Sequence, residues 1–429
     1  MSVTADARWD VLVVGAGLAG LTAARDLTAA GLTVALVEGR DRIGGRTLHR
    51  RFADSDVKVE MGGTYFDSRR QHALRAEIER YGIAVRRQPE LPALRWHTGG
   101  ELRHGMPVPP EQLLDLERAA AALIEASRQL VAGRRYDDQE LRALEEPYGA
   151  FLDRLQLPAA TRDLFESLPC FFAGAHAEEL PLLHVVDWVA QLDNSVWAQF
   201  AALEETFADG TGSLVAALAA DGGAELLLST TVTRLVQDDD GVVAETADGA
   251  RLAARRAIVT APVETWERIA FEPPLPADKW EAIERGHRVR TIKLWILLDQ
   301  APAPVICAGT GSPLQWISSE ETIGDAVLCA AFAGVAEELD PTDRAAVEAA
   351  VQPYLPGARV LAVDHEPWND DRFSDGISFR PRVQAALQRR EGRIHFAGAD
   401  VATHWPAWMA GAVESAGLVA RALLAADNF

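Results

Sequence analysis

The sequence is poor in several things at once, and each shortage excludes a class. Its 429 residues hold only three cysteines, Cys170, Cys307 and Cys329, with no CxxC and no histidine or cysteine at metal-ligand spacing, so neither a disulfide framework nor a bound metal is expected. No run approaches the 18 apolar residues of a membrane span, and the polar opening MSVTADARWD lacks an apolar leader core, which points to the cytoplasm. Positive charge is short: 42 basic against 63 acidic residues give a net charge of −21. Nucleic acid and anionic membrane surfaces would be repelled. Lysine is nearly absent, with Lys58, Lys279 and Lys293 the only three among those basic residues. No internal repeat, low-complexity tract or flexible linker interrupts the chain.

What is present starts at residue 10: DVLVVGAGLAGLTAARDLTAAGLTVALVEGRDRIGGRTL. An apolar strand leads into a glycine turn and a helix, then a second strand closed by an acid. Gly15 permits the tight turn, Gly17 lets the backbone around Ala16 approach a pyrophosphate at the helix start, and Gly20 lets helix and strand pack closely. Glu38, 18 positions after Gly20, can accept from both ribose hydroxyls and would repel a 2′-phosphate, which argues against NADP. Gly44, Gly45 and Arg46 form a second turn, where bare backbone amides and a guanidinium fork offer another phosphate contact. Dehydrogenases that use NAD do not need it. The whole run resembles the FAD-dependent amine oxidase superfamily, and that resemblance implies FAD, with Arg40 beside Glu38 in its site.

The rest of the chain divides by pattern. DVKVEMGGTYF reads as a strand delivering the backbone of Gly62, Gly63 and Thr64 to a ligand. Helical periodicity dominates residues 70–200, with Pro147, Pro158, Pro169 and Pro181 as breaks. Strand patterns return after Gly210, and the final segment, GRIHFAGADVATHWPAWMAGAVESAG, is again strand, glycine turn and helix. The expected fold is α/β: a Rossmann-like FAD-binding domain built from three separated segments (1–80, 205–265 and 385–429), plus a substrate domain of mixed sheet and helices (81–204 and 266–384).

The ATHWPAWMAGAVESAG segment narrows the resemblance to the flavin monoamine oxidases. By that match Gly398, Asp400, Met409 and Val413 contact flavin, Val232 holds the adenine through its backbone, and Trp368 packs beside the flavin ring. Asp400 stands where relatives often have glutamate. Lys293 lies in the apolar strand TIKLWILL, on one face with Thr291 and Trp295 and opposite Ile292, Leu294 and Ile296. An ammonium there must be paired or wetted. The resemblance makes it the catalytic lysine that holds a water against flavin N5.

For the substrate wall, the family pattern implies two facing aromatic residues. Trp408 fills one place. The other falls on Ser378, or on Phe379 after a one-residue shift, so the two-ring cage is left open. Ile377 stands where some relatives attach flavin through cysteine, implying non-covalent FAD. Tyr65 and Leu203 complete the expected substrate contacts, with Trp197 and Asn194 as further candidates from the helical region. The expected reaction is hydride transfer from the α-carbon of a primary or secondary amine, cyclic or aryl-substituted, to flavin N5, then imine hydrolysis and reoxidation by dioxygen to hydrogen peroxide. The partners are thus a small amine and dioxygen, with a homodimer left open. An L-amino acid oxidase is the alternative, although its carboxylate-clamping arginine is replaced by Tyr65 and only Arg69 or Arg380 could substitute. More remote is a flavin-binding protein without turnover.

Overall fold

The computed structural model of the chain describes residues 9–87, 93–284, 287–379 and 384–425; the side chains at 171, 201, 287, 288 and 377–379 lie outside that description. Strand Trp9–Val14 sits inside an eight-stranded sheet, parallel to Val34–Val37 on one side and to Arg251–Val259 on the other. Its apolar residues alternate between two cores, as strand geometry requires. Val11 and Val13 face helices Leu18–Ala29 and Met409–Ala425, whereas Leu12 and Val14 face a layer containing Trp266 and Phe396. With both faces covered, the strand is apolar throughout.

Sequence-distant pieces complete this sheet. Its order runs Ala270–Glu272, Val232–Gln237, Val242–Thr246, Arg251–Val259, Trp9–Val14, Val34–Val37, Glu225–Leu227, and Ile394–Phe396 pairs in parallel with the end of Arg251–Val259. Three separated stretches therefore meet side by side, placing the glycine turn after Val14 near the one after Phe396.

A second sheet has seven strands, in the order Val360–His365, Ile292–Leu298, Ala326–Ala333, Leu314–Ile323, Val305–Gly309, Ala93–Thr98, Glu101–His104. Leu294 and Ile296 pack towards helix Arg344–Val351. Trp96, Ala308 and Trp316 pack towards a layer containing helices Leu113–Ser127, Ala159–Ala173 and Leu182–Gln191.

Two expectations need correcting. Residues 70–200 are not uniformly helical: Ala93–Thr98 and Glu101–His104 form a hairpin on the edge of the second sheet. Its turn residues Gly99 (φ +62°) and Gly100 (φ +75°) are both left-handed, the conformation a two-residue hairpin turn demands, but strands this short carry little periodic signal. Pro169 is not a break either. It lies inside helix Ala159–Ala173, where it removes the donor for the Phe165 carbonyl four residues earlier. The buried Tyr148 hydroxyl donates to that carbonyl at 2.7 Å, so the orphaned acceptor is satisfied from outside the helix. The three cysteines are free and buried, and burial pushes the Cys307 thiol up to about 12. Among the described residues no helix is long and apolar enough to cross a membrane.

Candidate active site

The glycine turns lie against one another. Gly44 N donates to Ala16 O at 2.8 Å, and Gly17 and Gly44 form a parallel bridge. A Cβ on Gly20 would stand 1.8 Å from Gly15 O, and one on Gly62 would stand 1.9 Å from Arg46 O. Neither position admits a side chain without moving backbone, which is why three chain segments can converge on one space. A Cβ at Gly17, by contrast, would meet nothing nearer than 3.9 Å, so one side of this turn is open.

That open side belongs to a cavity of about 440 Å³, whose wall includes Gly15, Gly17, Glu38, Arg40, Gly45 and Arg46 at one part and Tyr65, Leu203, Lys293 and Trp408 at another. Gly62, Gly63, Thr64, Val232, Trp368, Gly398 and Met409 also line it. Ala16, Gly20, Asp400 and Val413 are absent from the wall and stand behind it. Glu38 is buried, and its carboxylate accepts from Ala16 N at 2.8 Å and Arg40 N at 2.9 Å. Each oxygen retains acceptor capacity for a ligand hydroxyl. Arg40 is held by Asp371 at 2.7 Å, and Trp368 Nε1 donates to Met61 O at 2.8 Å.

Arg46 and Asp400, read from sequence as separate ligand contacts, pair with each other at 2.8 and 3.1 Å. Asp400 also accepts from Val263 N at 3.2 Å. The acid is thereby committed to holding the guanidinium, whose residue does line the cavity.

Lys293 is buried on a strand inside the second sheet, not on its edge. Its ammonium donates to Glu60 O at 2.6 Å, to Gly62 O at 3.1 Å and to Thr64 Oγ1. All three protons are used on the loop that carries the Gly-Gly pair. Rings of Tyr65 and Trp295 lie 5.9 and 5.4 Å from the nitrogen. Burial lowers its pKa to about 8, against the pull of Glu60 and Glu320. Tyr65 in turn donates to Glu320 at 2.5 Å, so a second buried acid fixes the ring beside the lysine.

The aromatic wall is more extensive than Trp408. Trp188, on helix Leu182–Gln191, stacks on Trp408 with centroids 4.9 Å apart and planes 16° apart. Phe172 and Trp405 pack against Trp188 at 5.3 and 6.0 Å, and all four line the cavity. Trp405 (φ +51°) and Ala407 (φ +66°) adopt left-handed backbone, strained for such residues. Sequence reasoning missed Phe172, Trp188 and Trp405. Helix spacing gives no signal for them, because core-facing and cavity-facing positions are equally apolar.

The remaining candidates are not seen on this wall among the described side chains. The Ser378 and Phe379 backbone pairs with Arg288 and His287, while their side chains, and Arg380 entirely, lie outside the described residues. Trp197 is 39% exposed and packs on Phe165, away from the cavity wall. Asn194 accepts from Ser127 Oγ at 2.9 Å and has a loop-shaping role. Arg69 pairs with Asp67 at 3.2 Å.

Comparison with known proteins gives a consistent result. The family model for flavin-containing amine oxidoreductases matches residues 18–424. The chain is 33% identical over 425 residues to (S)-6-hydroxynicotine oxidase of Paenarthrobacter nicotinovorans, covering 97% of this chain and 99% of that protein. It is 29% identical over 426 residues to pseudooxynicotine dehydrogenase of a Pseudomonas species, covering 95% and 84%. Among solved structures, a triple mutant of putrescine oxidase superposes with a TM-score of 0.87 at 21% identity, covering 97% and 99%; at that identity the likeness shows the fold.

Proposed function

The chain belongs to the flavin-containing amine oxidoreductase family and is an FAD-dependent oxidoreductase acting on amines; from that premise we propose a substrate and a role for each part of the cavity. The substrate we infer is a primary or secondary amine with a cyclic or aryl-substituted body, and the acceptor is dioxygen, giving hydrogen peroxide. The observation that carries the reading is one wall that joins the glycine turns, Lys293 and the Trp188–Trp408 stack. The name of the (S)-6-hydroxynicotine oxidase relative points the same way.

The residues present fit FAD. The open side of Gly17 and the paired glycine turns suit phosphate, and Arg46 supplies the counter-charge. Glu38 has acceptor capacity left for ribose hydroxyls, and the Val232 backbone suits adenine. Gly62, Gly63, Thr64, Gly398, Met409 and Trp368 are assigned to the flavin end, with Ala16, Gly20, Asp400 and Val413 supporting from behind. With Ile377 where some relatives have a cysteine link, we assign non-covalent binding. The three segments that share the first sheet are read as its domain, the middle one extended beyond 265 to take in strand Ala270–Glu272, and the remainder as the substrate domain.

When bound, FAD supplies a two-electron acceptor for the hydride of the α C–H bond. The protein's own part is desolvation and aim. Phe172, Trp188, Trp405 and Trp408 form an apolar wall with little water, so the nitrogen on the reacting carbon is held neutral, with its lone pair available. Stacked rings restrict how an aryl or cyclic body can lie, and thereby orient its α-carbon. Lys293 fixes the Gly62–Thr64 backbone and places positive charge at that end of the cavity. The amino acid oxidase reading is weaker: Tyr65 faces the Glu320 carboxylate, which would repel a substrate carboxylate, and Arg69 is committed to Asp67. Anaerobic reduction of the holoenzyme by a panel of amines and amino acids tests the proposal.

A further inference from the structure

Helix Leu182–Gln191 brings one more side chain to the cavity wall. Asp187 is 3% exposed and lines the cavity beside Trp188. Its carboxylate receives a hydrogen bond from Gln191 Nε2 at 3.3 Å and is met by the Tyr136 hydroxyl. His404 is near enough to be felt but pairs with Glu414 at 3.4 Å. Two other buried acids are answered by a cation: Glu77 by Arg25 at 2.5 Å and Asp400 by Arg46 at 2.8 Å. Among the described residues no cation answers Asp187.

A buried carboxylate without a counter-ion is costly, and burial pushes this one up to about 6. The same cavity wall carries the indole of Trp188 and its partners Phe172, Trp405 and Trp408. Aromatic faces beside an unneutralised acid are the surroundings that recognise an ammonium. Resting on the amine-oxidase reading of this cavity, we propose that Asp187 is a specificity-determining residue that binds a second, protonated nitrogen of the substrate, remote from the C–N bond that is oxidised.

A purely structural role is the competing account, because Gln191 links Asp187 to Trp405 N at 3.3 Å. Two readouts separate them, each using the FAD-loaded enzyme and its Asp187→Asn variant. The first is the ratio of kcat/KM for a diamine to that for the monoamine of equal length. The proposal expects wild type to favour the diamine and Asp187→Asn to lower the ratio tenfold or more. An unchanged ratio, or a wild-type preference for the monoamine, overturns it, since a positioning defect lowers both substrates together. The second is the melting-temperature shift produced by a bis-tert-alkyl diamine, which has no α-hydrogen and cannot be oxidised. A shift in wild type but not in Asp187→Asn supports the site; equal shifts, or none in wild type, overturn it. If no amine reduces the flavin, the amine-oxidase reading fails, while the melting experiment still judges the site.

Discussion

Arg46 and Asp400, 354 positions apart, grip each other through two parallel hydrogen bonds of 2.8 and 3.1 Å. One comes from the second glycine turn, directly after Gly44 and Gly45, and the other from the turn after Ile394–Phe396, the last strand of the first sheet. The pair ties the first and last thirds of the chain at the edge of the cavity. Asp400→Asn removes the negative partner and leaves the guanidinium without its fork. A loss of about 1–3 kcal/mol in stability is expected, read as a lower urea midpoint at unchanged slope. Arg46→Lys, which keeps the charge but not the bidentate geometry, should recover only part of it.

Gly20 tests the close approach of strand and helix. Because an added Cβ would lie 1.8 Å from Gly15 O, Gly20→Ala must displace the turn or the helix start. The expected outcome is a protein that retains little flavin through purification, measured as the ratio of flavin to protein absorbance. Full flavin content would show that the turn has slack that the backbone distances do not suggest.

Lys293 carries a pH signature. Burial holds its folded pKa at about 8, below the ordinary 10.5, so the ammonium is charged below pH 8 and neutral above. The oxygen-dependent half-reaction of wild type should slow as pH rises through 8, and Lys293→Met should be slower at pH 7 and lack that step. The linkage runs in the same window. Between pH 8 and 10.5 the unfolded chain binds more protons at this residue, so wild type gains stability relative to Lys293→Met as pH rises across it, and the burial cost is full below pH 8. A variant that reoxidises in air as fast as wild type would show that the positive charge Lys293 places at that end of the cavity does not assist the oxygen step.

Tyr148 and Pro169 form a testable couple through the Phe165 carbonyl. Tyr148→Phe leaves that buried acceptor unsatisfied and should cost about 1–3 kcal/mol. In a Pro169→Ala background the restored amide can bond the same carbonyl, so the cost should fall to about 1 kcal/mol or less. A double-mutant cycle on urea midpoints measures the coupling, and additive effects would contradict it.

The cofactor and the buried lysine were legible for different reasons. Turns from Gly15 to Gly20 and from Gly44 to Arg46 advertise themselves because positions that exclude a Cβ leave glycine in the sequence. Lys293 stood out because a charge in an apolar strand has no packing explanation. The Arg46–Asp400 pair was invisible, since each residue has a local use and nothing in the chain says that two turns so far apart touch. Trp188 and Phe172 were hidden in helices whose inward faces serve core and cavity alike. The Ala93–His104 hairpin was lost to the helical pattern around it, although its Gly99-Gly100 turn was readable. Pro169 misled because the compensating hydroxyl comes from another helix.

The most direct test of the central claim is anaerobic mixing of the purified yellow holoenzyme with monoamines, diamines, cyclic and aryl-substituted amines and amino acids, following flavin absorbance. Bleaching by cyclic or aryl-substituted amines, with little or none by amino acids, is the predicted result. Bleaching by amino acids alone, or by none of the panel, would contradict it.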